Sequence, residues 1–133
     1  MCTVGILDLT GWIQSQWFFE YAATISFCLI GTLLIEVTLA LALGVRGWDD
    51  IEKVILINIL TNPVLVTILF LLNRMRVDVK AIFVIQLGLE VVVVILEGMY
   101  YKRKLQKERM NPFLLSMVLN AVSYGAGLAL SLL

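Results

Sequence analysis

The chain has 133 residues, 61% of them apolar and 15% charged, and ten Lys+Arg against ten Asp+Glu give a formal net charge of zero. Soluble domains carry about 25% charged residues, and so short and oily a chain has more apolar surface than a small globule can bury, so a single membrane domain is expected. Neutrality leaves no basic footprint for nucleic acid, and the absence of His excludes His-based metal centres, Ser–His or Cys–His catalysis and a histidine switch.

Residues 1–16 come first. No Lys or Arg precedes Arg46, so this stretch does not read as a signal peptide, which needs a basic leader. Ile6, Leu9, Ile13 and Trp17 recur at helical spacing opposite Asp8 and Ser15, which predicts a short helix lying in the membrane interface. Trp17, Phe18, Phe19 and Tyr21 then read as an aromatic belt at one face, with Trp48, Tyr100 and Tyr101 at the other.

Four apolar stretches follow, at 21–45, 51–72, 79–101 and 112–133. Each is about 20 residues or slightly more, enough to cross a ~30 Å hydrocarbon core, and lipid forces such segments to be helices. Asp49 stands three residues before Glu52 at the head of the second span, the spacing of a capping box. Asp78 can cap the third, and Asn111 before Pro112 starts the fourth. Short connections favour an up-down-up-down bundle. The loops after the first and third spans hold Arg46, Lys53, Lys102, Arg103, Lys104, Lys107 and Arg109, against Arg74, Arg76 and Lys80 on the other side. The positive-inside rule then places the richer side in the cytoplasm and both termini outside.

The spans contain an internal echo. IEVTLALALG (35–44) aligns with LEVVVVILEG (89–98), and INILTNP (57–63) with LNAVSYG (119–125). Glu36 is thereby matched with Glu90, Asn58 with Asn120 and Thr61 with Ser123. Two tandem helix hairpins related by a pseudo-two-fold along the membrane normal are expected.

The matched residues are the expensive ones. A carboxylate at a helix centre is disfavoured by roughly 2.5–3.5 kcal/mol, and every basic residue lies in or beside a loop. Counted from the cytoplasmic ends at ~1.5 Å per residue, Glu36, Asn58, Glu90 and Asn120 all fall roughly 11–17 Å deep. Helical spacing puts Gln86, Glu90 and Glu97 on one face of the third span, and Ser116, Asn120, Ser123 and Gly127 on one face of the fourth. Asn58, Thr61 and Asn62 cluster on the second, and Thr32 with Glu36 on the first. Two carboxyls without a basic partner either share a proton or hold a cation between oxygen ligands. Pro63 frees the carbonyl of Ile59 or simply kinks the helix, and Glu97 serves as an entry-side acceptor or snorkels toward Lys102 or Arg103.

The candidate ion- or substrate-binding set is therefore Glu36, Asn58, Thr61, Asn62, Glu90, Glu97, Asn120 and Ser123; the identity of any metal is open, and no cofactor is expected. The bland alternative is interhelical glue, worth about 0.6 kcal/mol per hydrogen bond. YYKRKLQKER reads as a positive-inside anchor or an anionic-lipid contact. Ala121, Gly125 and Ala129 are spaced by four on the face opposite Asn120, a close-packing stripe for a second copy or another membrane protein. Cys2 and Cys28 have no metal or redox spacing, and Cys28 reads as a small core residue.

LTNP in the second span, LE with its Val run and EG in the third, and NPFLLSMVLNAVSYG in the fourth resemble a small, uncharacterised bacterial four-span membrane family over residues ~30–133. That resemblance implies the fold and no activity. Glu36-Val37 is also similar to the Glu-Val of small multidrug-resistance transporters, whose Glu binds proton and drug. Here Glu90 and Glu97 are extra and the third span lacks that family's Gly-rich dimer motif. The expected protein is an all-α integral membrane four-helix bundle of the cytoplasmic membrane that binds or moves a proton, cation or small solute. The alternative is a non-catalytic membrane subunit or assembly protein. Enzymatic use of Glu36 and Glu90 as acid and base lacks any nucleophile motif, so the chain is not expected to be an enzyme.

Overall fold

The computed structural model describes residues 2–106 and 110–131, with side chains described over 15–106 and 110–129. The described residues form four helices, α1 (Cys2–Ala42), α2 (Trp48–Arg74), α3 (Val79–Lys104) and α4 (Pro112–Ser131), with no strand among them. Each holds a stretch long and apolar enough to cross a membrane: Ser15–Ala42, Trp48–Arg74, Val79–Lys104 and Pro112–Ala129.

The expected break between residues 1–16 and the first span is absent among the described residues, because α1 runs from Cys2 without interruption. No Pro stands in the way, and single glycines such as Gly11 cost a helix only about 1 kcal/mol each. The side chains of Ile6, Asp8, Leu9 and Ile13 lie outside the described ones, as do Lys107, Glu108 and Arg109.

The turns explain the antiparallel order. After α1, Gly44 adopts φ 97 and the N–H of Val45 reaches back to Ala40 O at 2.9 Å. This is a glycine-based helix stop, with Val45 buried beneath it. Gly47, at φ 118, then turns the chain into α2. The expected Asp49–Glu52 capping box does not form: Gly47 occupies the cap and makes no side-chain bond. The neighbouring Asp50 instead accepts from Lys53 Nζ at 3.1 Å and from the backbone N–H of Gln106 at 3.2 Å, clasping the start of α2 to the end of α3. The other two caps form as expected. Asp78 Oδ2 accepts from the N–H of Lys80 at 3.2 Å, and Asn111 Oδ1 from that of Phe113 at 3.0 Å.

Each helix packs on its chain neighbours and α1 closes the ring against α4, while the diagonals α1/α3 and α2/α4 do not meet among the described residues. The apolar core is gathered at one end, where Ala40, Val45, Ile51, Val54, Ile57, Tyr101, Leu115 and Leu119 form one cluster. We call this the basic end, since α3 finishes there with Lys102, Arg103 and Lys104. Toward the other end the described buried apolar side chains reduce to Val66. There α1 and α2 are tied by Tyr21, whose hydroxyl meets Thr67 Oγ1 at 2.8 Å, and by Trp17 edge-on to Phe70. Outer faces carry bare apolar side chains such as Phe27, Leu34, Leu60, Val64 and Val84. So continuous an apolar surface is stable only against lipid.

Gly98 has a specific reason to be glycine. A Cβ there would overlap the ring of Phe113, so its absence sets the close approach of α3 and α4.

Candidate functional site

Glu36 stands six residues before the last residue of α1, Ala42, and Glu97 seven before the last of α3, Lys104. Asn58 lies ten residues after the start of α2 at Trp48, and Asn120 eight after the start of α4 at Pro112. At ~1.5 Å per residue the four share a layer about 9–15 Å from the basic end. Glu36 and Glu97 are both 0% exposed, in a bundle whose exterior faces hydrocarbon.

Each carboxyl accepts from both neighbouring helices. Asn58 Nδ2 donates to Glu36 Oε2 at 2.6 Å, and Ser123 Oγ lies 3.0 Å from Glu36 Oε1. Asn120 Nδ2 donates to Glu97 Oε2 at 2.6 Å, and Thr61 Oγ1 lies 2.9 Å from Glu97 Oε1. Ser116 adds a further bond to Glu97 Oε2 at 3.2 Å. Each Glu thus takes an amide from the next helix in the chain and a hydroxyl from the helix on its other side.

The second bonds of these donors define what the site can do. Asn58 Nδ2 also donates to Val54 O at 3.1 Å, and Asn120 Nδ2 to Ser116 O at 3.0 Å. Only an NH₂ group satisfies a carboxyl and a carbonyl together, so both amides present N–H to the carboxyls. The hydroxyls have a choice. Thr61 Oγ1 lies 3.0 Å from Ile57 O, and Ser123 Oγ 3.1 Å from Asn120 O. A hydroxyl carries one hydrogen and two lone pairs. It donates to an ionised Glu, or turns to its own helix and accepts from a protonated one. Neither state leaves a buried orphan, the condition that normally makes buried polar groups costly.

In hydrogen-bonding role Glu97, not Glu90, matches Glu36. The word match of 35–44 to 89–98 rests largely on Val and Leu, which align with almost any apolar run. Glu97 also does not snorkel toward Lys102 or Arg103: its oxygens are taken up by Thr61, Ser116 and Asn120. Glu90 lies two turns away on α3, half-buried, with no hydrogen-bond partner among the described residues. Asn62 stands apart from the carboxyls too, donating to Thr32 Oγ1 at 3.0 Å while its Oδ1 is buried without a partner among the described residues.

Two contributors were not in the predicted set. Ser116 was visible on the polar stripe of α4 but not counted among the ligands. Tyr101, expected in the aromatic belt, is fully buried, and its hydroxyl has no hydrogen-bond partner among the described residues. It sits one turn beyond Glu97 on the same face of α3, at the spacing that makes helix residues neighbours. Trp48, by contrast, is exposed as a belt residue should be. Cys28 is a free, half-buried thiol. Ala121, Gly125 and Ala129 are exposed on the outer side of α4.

No group of three or more metal-ligating side chains occurs among the described residues. The N–H groups turned toward both carboxyls also suit a carboxylate or a carboxylic acid better than a bound metal ion. Fold and site define a multi-pass, all-helical membrane protein with a paired carboxyl centre inside the bundle. No protein family, curated protein or solved structure matches the chain.

Proposed function

We propose that this is a small multi-pass protein of the cytoplasmic membrane that binds and passes a proton through the Glu36/Glu97 centre, with a small cation or solute as the alternative cargo. One observation carries the reading. Two fully buried carboxyls each face a hydroxyl that has a second acceptor on its own helix, so a proton enters or leaves without stranding a polar group. Intramembrane ionisable residues are functional-site candidates by default. The thick core at the basic end covers the centre on that side, and the thinner packing opposite favours access from there.

The same reading takes α1–α2 and α3–α4 as tandem copies. Asn58 to Asn120 and Thr61 to Ser123 are each 62 residues apart, and Glu36 to Glu97 is 61. The reciprocal bonding is what a pseudo-two-fold along the membrane normal produces. The basic end faces the cytoplasm, with both termini outside, and the stretch of α1 before Ser15 reaches the interface. No catalytic role is proposed.

A pH- and ion-dependent thermal-stability screen of wild type beside Glu36→Gln and Glu97→Gln tests this. The proposal expects pH dependence in wild type that both variants flatten; an unchanged profile counts against it.

A second reading, a non-catalytic membrane subunit whose polar ring locks helix register, is favoured by the saturation of that ring and by the exposed Ala121, Gly125 and Ala129 stripe. Gentle purification separates the two. A stoichiometric membrane-protein partner supports the subunit reading, and a lone homo-oligomer supports the first.

A further inference from the structure

A cleft of about 360 Å³ runs between α2 and α3 at the basic end. Arg103 and Lys104 stand at its mouth, Leu96, Met99 and Tyr100 line its α3 wall, and Ile57 and Thr61 its α2 wall. Leu96 and Met99 are exposed, so the cleft opens sideways toward the hydrocarbon. Its volume is within the range of small-molecule sites, roughly 300–1,000 Å³.

Charge is segregated along it. Arg103 and Lys104 close α3 and have no carboxylate partner among the described residues. Lys53 is held beside the mouth by donating to Lys104 O at 2.7 Å, its own charge met by Asp50. From Arg103 down to Leu96 the α3 wall is mainly apolar over two turns, about 10 Å, the Tyr100 phenol being its polar tip. A small cation is repelled at such a mouth. A free anion leaves the apolar wall bare, and a zwitterionic lipid leaves the two cations unmatched.

We propose that this cleft holds an anionic phospholipid of the surrounding leaflet, its phosphate between Arg103 and Lys104 and one acyl chain along Leu96, Met99 and Ile57. The occupant comes within reach of Thr61, whose hydroxyl meets Glu97. The site stands independently of what the carboxyl centre carries.

The test is native mass spectrometry and thermal stability of the purified full chain titrated with phosphatidylglycerol, with phosphatidylcholine and inorganic phosphate as controls. Each basic residue near an anionic surface contributes about fivefold in affinity, so Arg103→Gln with Lys104→Gln is expected to weaken phosphatidylglycerol binding about thirtyfold. Arg46→Gln with Lys102→Gln removes the same charge outside the cleft and should leave most of the binding. Met99→Trp, which fills the cleft and keeps every charge, should also displace the lipid. Equal loss in both charge pairs, equal binding of phosphatidylcholine, equal stabilisation by phosphate alone, or full binding by Met99→Trp would each overturn the proposal. A photoreactive acyl chain provides a readout in unmutated protein: crosslinking at Leu96, Met99 or Ile57 supports it, and labelling confined to α1 and α4 refutes it.

Discussion

Truncating Asn120 to Ala removes the amide that reaches Glu97 Oε2 at 2.6 Å, and the resulting energy separates glue from site. If the bond joins two neutral groups as packing does elsewhere in membranes, its coupling averages about 0.6 kcal/mol and peaks near 1.7. If it holds a carboxylate, a hydrogen bond to a charged group is worth about 1.5–3 kcal/mol. The single substitution mixes this with loss of the local bond to Ser116 O. A double-mutant cycle of Asn120→Ala and Glu97→Ala isolates the pair. We expect a coupling of about 2 kcal/mol at alkaline pH, measured by reversible unfolding in bilayers, falling toward about 1 kcal/mol once the carboxyl is protonated. The cycle on Asn58 and Glu36, also 2.6 Å apart, should match it within about 0.5 kcal/mol. Couplings near 0.6 kcal/mol, the same at every pH, would refute the reasoning.

Three further outcomes follow from the same geometry. Thr61→Val and Ser123→Ala remove the switching hydroxyls at a cost of about 1 kcal/mol each, and proton flux in proteoliposomes should fall at least about tenfold, a step set by the cost of a buried orphan; unaltered flux denies the hydroxyls their role. Gly98→Ala pushes a methyl into Phe113 and should destabilise by about 1–2 kcal/mol in the same unfolding assay, recovered when Phe113→Leu is added. Tyr101→Phe removes a buried hydroxyl that has no partner among the described residues, so stability should hold or rise by about 1 kcal/mol; a marked loss would contradict that reading.

The four spans are legible because lipid removes alternatives. An apolar run of about 20 residues must be helical there, and Asp78 and Asn111 mark helix starts by side-chain chemistry that acts over two residues. The polar layer was legible by residue type: Glu36, Asn58, Thr61, Glu97, Asn120 and Ser123 were all singled out. Partner assignment was the harder part. Words match by similarity, and apolar similarity carries almost no information inside a membrane helix. The constant 62-residue offset of the Asn and hydroxyl pairs lands one residue from Glu97, whereas Glu90 is only 54 from Glu36. Tyr101 was misplaced because composition alone does not tell an aromatic at the interface from one turned inward; its position four after Glu97 does. The Asp50 clasp on Gln106 joins residues 56 apart in the chain, and no local pattern announces it.

Proton flux into proteoliposomes driven by an imposed pH gradient tests the central claim most directly, with Glu36→Gln, Glu97→Gln and Glu90→Gln reconstituted beside wild type. Wild type should show flux, Glu36→Gln and Glu97→Gln alike near-complete loss, and Glu90→Gln, outside the hydrogen-bonded ring, a clearly smaller effect. Flux that survives both ring substitutions, or that only Glu90→Gln abolishes, would contradict that claim.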